Sequence, residues 1–204
     1  MGRLRPKESD ALLSRRRMLL AAGAGLGLMG YGNFAFGQST AHPNALTITR
    51  DDGNVLLFQF SLNLPQVLHQ LLSPATPLSA FLQNYAHMPP PAWERALQNA
   101  KRLLSASGIL TLPGGRPIRL QAWQWPDDAT IAQTLKAQEI LLPIAEASRL
   151  HLDPMPVQAR LQTSKPIRQA QLQLPAAFYP IEVTIKNDKF WLTTQIPLAM
   201  VNLE

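Results

Sequence analysis

Cysteine is absent from all 204 residues. That excludes disulfides, iron–sulfur clusters and covalently attached c-type haem, all of which are held through cysteine. The fold must rest on its apolar core. Histidine is scarce: His42, His69, His87 and His151 are the four in the chain. There is no G-x-S-x-G elbow, no H-E-x-x-H pair, no P-loop and no G-x-G-x-x-G in a strand–helix setting. No cofactor is expected. Beyond the N-terminal region, no run is long and apolar enough to span a bilayer, which takes about 20 residues. Excess positive charge is also missing from most of the chain. The net charge is +6, but residues 1–37 hold six of the 19 Lys and Arg and two of the 13 Asp and Glu. The remainder carries +2, with scattered basic residues, which argues against a nucleic-acid partner.

What is present at the N-terminus is a polar, mixed-charge lead, then Arg15, Arg16 and Arg17, then an apolar run from Met18 to about Met29. The run is interrupted by Gly23, Gly25 and Gly27, so it is a weak helix former. A basic region, a short apolar region and small residues form an export signal. The order Ser14-Arg15-Arg16-Arg17-Met18-Leu19 resembles the bacterial twin-arginine signal, with Met where Phe is commoner. The resemblance covers residues 1–37 and implies the twin-arginine translocase as export partner, delivery in a folded state and a periplasmic location. A general-secretion signal and an uncleaved anchor are the alternatives. Cleavage before Gln38 or before His42 fits the small-residue rule. No cysteine follows, so a lipoprotein anchor is not expected.

Residues 38–204 are expected to form a single α+β domain: an antiparallel sheet of about eight strands in hairpins, with about four helices packed on one face. A loop of Asp51, Asp52 and Gly53 would pair Ile48 with Leu56 and Leu46 with Phe58, with Gly53 left-handed. Helices are expected in "LPQVLHQLL", in "PLSAFLQNYAH" with Thr76 as cap and Pro77 first, and in "PAWERALQNAKRLLSASG", ending at Gly108. Gly114 and Gly115 would turn a second hairpin. Asp127 or Asp128 would cap a helix continuing past Pro143. Strict alternation in "VQARLQT" and "QAQLQL" places Gln158, Gln162, Gln169, Gln171 and Gln173 outward. A turn at Asn187-Asp188 would set Ile185 opposite Phe190 and Val183 opposite Leu192. The apolar tail "PLAMVNLE" should dock in the core, along a sheet edge or into another protein.

The tryptophans suggest a site. In "IRLQAWQW", alternation puts Trp123, Trp125 and Arg119 on the outward face, and Trp191 falls on the polar face near Glu182. Aromatic rings among Gln, Thr and Arg give the stacking area and direction that a glycan, peptide or envelope-protein partner needs. The competing reading buries the rings beneath helices. His87, Met88, His151 and Met155 are the candidate soft metal ligands, against a reading as loop residues. Asp127 and Asp128 suggest an acid–base pair, against a reading as helix caps. The sequence thus favours a non-enzymatic binding or accessory domain recognising a polymer, peptide or protein. The alternatives are a cell-envelope hydrolase using Asp127, Asp128 and Glu182, or a His/Met metal-handling protein.

Overall fold

Leu46 and Ile48 alternate with Thr47 and Thr49, and this period of two builds strand β1 (Asn44–Arg50) in the computed structural model, which describes residues 44–141 and 153–203. Strand β2 (Val55–Leu62) repeats the pattern and buries Leu56, Phe58, Phe60 and Leu62. The two strands are antiparallel, with Ile48 opposite Phe58 and Leu46 opposite Phe60. The loop is longer than expected, spanning residues 51–54, and the Asp51 N–H donates to the Val55 carbonyl at 3.0 Å. The register therefore shifts by two from the expected one, which leaves every side chain on its face. Gly53 is not left-handed.

Helix α1 (Leu64–Leu72) is capped by Asn63, whose side chain accepts from the Gln66 N–H at 3.3 Å. Helix α2 (Leu78–Ala86) begins one residue later than expected, with Pro77 in the cap position. Thr76 does not cap it, because its hydroxyl is spent on the Ser73 carbonyl at 3.0 Å. Helix α3 (Pro90–Ser107) buries Trp93, Leu97, Ala100 and Leu104 at helical spacing. Gly108 ends it in an extended conformation, φ −78° and ψ 112°, rather than a left-handed one. Its role is close approach: a Cβ there would lie 3.1 Å from the Trp123 ring and 3.2 Å from Leu120.

The second hairpin joins β3 (Ile109–Thr111) to β4 (Pro117–Arg119) around left-handed Gly114 and Gly115. Leu120 then turns the chain away, its N–H donating to the Gly108 carbonyl at 3.0 Å. Strand β5 (Gln121–Gln124) joins the other sheet. Helix α4 (Asp128–Leu141) follows; its expected continuation past Pro143 lies outside the described residues. Strands β6 (Met155–Gln162) and β7 (Gln169–Gln173) alternate as the sequence predicts. A short 3-10 turn (Ala176–Phe178) leads to β8 (Ile181–Ile185), β9 (Asp188–Leu192) and β10 (Leu198–Asn202). The β8–β9 turn is Lys186-Asn187, with Lys186 left-handed, so Val183 faces Phe190 and Ile181 faces Leu192. This register also lies two residues from the expected one.

The α+β class holds, but the strands divide between two sheets rather than one. A six-stranded sheet runs β5-β6-β2-β1-β8-β9, and a four-stranded sheet runs β10-β7-β3-β4. All pairings are antiparallel except β1 with β8, which is parallel. The apolar faces of both sheets and the apolar stripes of the helices meet in one core, with Phe58, Phe81 and Phe178 fully enclosed. On the opposite face of the larger sheet, Thr49, Gln59 and Arg160 on the inner strands β1, β2 and β6 are exposed, so no helix of the described residues covers them. The described residues belong to one compact unit.

The C-terminal segment docks along a sheet edge. β10 pairs with β7, burying Val201. Leu203 is buried beyond it, and its N–H donates to the Arg168 carbonyl at 2.7 Å. The Arg50 guanidinium donates to the carbonyls of Gly53, Ile167 (2.6 Å) and Leu203 (2.7 Å). One side chain thus fastens the first turn, the β6–β7 loop and the tail. The buried Tyr179 hydroxyl donates to the Leu174 carbonyl at 3.0 Å or the Pro197 carbonyl at 2.8 Å, and accepts from the Leu174 N–H at 3.2 Å. Burial pushes its pKa up, against the opposing effect of the Leu174 backbone hydrogen bond.

Candidate functional site

The tryptophans do not share one surface. Trp123 and Trp125 belong to the β5 edge of the larger sheet, and Trp191 to β9 at the other edge. Five inter-strand steps at about 4.8 Å separate them by about 24 Å. Alternation also fails in β5. Gln121 pairs with Arg160 and Gln124 with Gln158, so an extra residue lies between them as a bulge, and Ala122 is left-handed at φ 48°. The bulge turns Trp123 inward. Its ring stacks on buried Phe60 at 5.4 Å and on Trp125 at 5.5 Å, and its Nε1 donates to the Leu120 carbonyl at 3.2 Å. Trp123 and Trp125 are half-buried and packed on the core. Trp191 does face outward, 46% exposed and directly opposite Glu182. Glu182 accepts from Lys189 Nζ at 3.0 Å.

The carboxylates have separate tasks. Asp127 caps α4: its Oδ1 accepts from the Thr130 N–H at 2.7 Å and its Oδ2 from the Thr130 hydroxyl at 2.6 Å. The Thr130 hydroxyl, and then its amide, hold the Asp127 carboxyl below the usual range. Asp128 accepts from Lys101 Nζ at 2.6 Å and from the Gln98 amide at 3.4 Å. Lys101 also donates to the Pro126 carbonyl at 3.2 Å. Glu182 lies in β8, across the sheet from the strand that precedes this pair. The three acids therefore do not converge.

The cap makes a pH-dependent prediction. A depressed folded-state pKa contributes stability that is present above the unfolded value of about 3.9 and is lost as pH falls through the folded value. Asp127→Asn keeps an acceptor for the Thr130 N–H but cannot ionise. Thermal melts should show the variant less stable than the parent at neutral pH, with a shallower acid limb that closes the gap below about pH 4. Parallel acid limbs would remove Asp127 from this role.

His87 Nε2 sits 3.0 Å from Glu139 Oε2, so the histidine is tied to α4. Met88 packs on the core and Met155 is buried at the start of β6. His151 lies outside the described residues. No three His, Cys, Asp or Glu among the described residues group in a way that would hold a metal ion.

The sheet edges separate more clearly than the rings do. β5 carries a bulge, β9 carries Asp188 and Lys189, and β4 carries Pro117 and Arg119. Bulges, charges and proline are the devices that keep an edge from pairing with another strand. β10 has none of them: its sequence is LAMVN and its register with β7 is regular. Leu198 is 41% exposed, Met200 66% and the nearby Ile196 60%. On this outer face Leu198 lies opposite Gln173, which lies opposite Ile109, which lies opposite Arg119. Sequence reasoning flagged Arg119, Gln171 and Gln173 separately. The register that joins them to Leu198 and Met200 requires the β7–β10 pairing, which no local pattern announces. Comparison with known proteins gave no match to a family model, a curated protein or a solved structure.

Proposed function

We propose that this chain is an exported periplasmic binding domain whose partner is a protein strand added along β10. The single observation that carries the reading is the contrast among the edges formed by the described residues: three are guarded, and one is apolar and carries no bulge, charge or proline. Strand addition uses the open backbone edge for affinity and alternate side chains for specificity. The strand that fits is extended, with apolar residues at every second position to cover Leu198 and Met200. Gln171 and Gln173 lie one strand further in on the same face and give polar surface behind Leu198 and Met200, whereas Arg119 stands at the far edge of that sheet. The Ser14–Leu19 motif supports export through the twin-arginine translocase and so a periplasmic setting. Trp191 with Glu182 offers a smaller platform at the far edge of the other sheet.

Site-specific photocrosslinking in intact cells of the native host tests the reading. A photoreactive residue at position 200 should give one discrete heterologous adduct, and the same residue at position 59 on the open sheet face should not. Leu198→Lys in the same chain should abolish the adduct while shifting stability by less than about 0.5 kcal/mol, because the side chain is exposed. An adduct only with a second copy of the chain, or equal adducts from both positions, would sink the proposal.

A further inference from the structure

A second feature is independent of the β10 edge. Where β6 leaves the larger sheet at Gln162 and β7 enters the smaller one at Gln169, the chain leaves an open cleft of about 870 Å³. One wall is the β3–β4 turn with Arg116, and the other is the β6–β7 loop with Lys165 and Arg168. Leu112, Ile118 and Ile167 form apolar surface between the walls, and all three pack on the core. Among the described residues, the lining contains no aspartate or glutamate. The loop is held in place: Thr163 donates to Asn54 and Lys165 carbonyls, and the Ile167 carbonyl accepts from Arg50.

We infer that this cleft binds a short acidic peptide, with carboxylates on Arg116 and Lys165 and apolar side chains on the surface formed by Leu112, Ile118 and Ile167. Its volume falls in the range of sites that enclose a small molecule or a few residues, about 300–1,000 Å³. Arg116 on one wall and Lys165 on the other, with no acid among the described lining residues, focus a positive potential into the space between them. Arginine pairs with a carboxylate through two parallel hydrogen bonds, which fixes orientation as well as charge. The side chains of Arg116 and Lys165 make no hydrogen bond or ion pair with other described residues, so binding breaks no contact among these. A bare inorganic anion would leave the apolar surface wet. An apolar peptide without carboxylates would leave the two cations unanswered.

The test is an NMR titration of the protein with the blocked peptide acetyl-Leu-Glu-Leu-Glu-amide. Two controls run beside it: the same peptide with Gln for Glu, and sodium phosphate. The acidic peptide should give saturable shifts confined to residues 112–118 and 162–169. The Gln peptide and phosphate should each bind at least about tenfold more weakly, since each lacks one of the two contributions. Arg116→Gln with Lys165→Gln should also weaken binding about tenfold, with the rest of the spectrum unchanged because both side chains are exposed. Equal binding by the Gln peptide would remove the charge argument, and equal binding by phosphate would remove the apolar one. Either result, or no cleft shift at millimolar peptide, overturns the inference. Leu198→Lys should bind the acidic peptide like the parent, so failure here and failure at β10 are separable.

Discussion

Trp123→Ala should cost the domain about 2–4 kcal/mol, somewhat less than truncation of a fully buried tryptophan. The ring lies between Phe60 and Trp125, covers Gly108 and closes its Nε1 on the Leu120 carbonyl. Its removal leaves a gap at the β5 edge, where the bulge offers little backbone pairing to compensate. Trp191→Ala, by contrast, should stay within about 0.5 kcal/mol, because its ring is exposed at an edge and its neighbour Glu182 is already paired with Lys189. Urea unfolding of the two variants side by side measures the difference. Equal, small losses would mean that Trp123 is free to serve a ligand. On the expected result, loss of a partner by a Trp123 variant reports unfolding before it reports a contact.

Arg50→Ala should cost about 2–4 kcal/mol, since hydrogen bonds from a charged donor are worth about 1.5–3 kcal/mol each and are not additive within one group. Three carbonyls that lie far apart in sequence lose their shared donor: Gly53, Ile167 and Leu203. The damage should be local in character. Amide exchange should rise first in residues 163–168 and 198–203, while the α3 interior stays protected until global unfolding. Arg50→Lys should recover less than half the loss, because a single ammonium cannot present the forked set of donors that spans separate carbonyls. Full rescue by lysine would reduce the role of Arg50 to charge alone. The same substitution should loosen one wall of the cleft and the anchor of β10, so it tests the shared support of both surfaces.

Much of the element pattern was legible because it is local. Alternation placed β2, β6 and β7, the 3–4 spacing placed α1 to α3, and Asp127 announced the start of α4. The errors share a cause. Both hairpin registers missed by two because parity fixes which face a residue takes but not which partner it meets, and loop length decides the rest. Leu120 was read as mid-strand because alternation continues through it on both sides. The chain changes sheets there, and the left-handed Ala122 then reverses the tryptophans. A non-glycine residue in that conformation leaves no signature in sequence. Thr76 and Gly108 were assigned the commonest role of their residue type, but their neighbours give them other tasks. Arg50 carried no signal at all, since its three acceptors are backbone groups. The apolar tail was the clearest hint of the surface proposed to bind. Its spacing of two at Ile196, Leu198 and Met200 was visible; that it forms the outer strand beside β7 was not.

The parallel pairing of β1 with β8 has a kinetic meaning. Asn44 meets Ile181, and the buried Asn44 amide also donates to the Phe178 carbonyl at 2.8 Å while its oxygen accepts the N–H of Asn63 at 2.8 Å. One of the earliest strands to be synthesised therefore waits for one of the last. Until β8 arrives, one edge of β1 and the apolar face behind it stay open, the condition under which chains self-associate. Contacts so distant in sequence form slowly, after a long loop has closed. On the proposed export in a folded state, the interval between synthesis and departure would be set by β8, and whatever shields the nascent chain would have to hold it until that strand is in place.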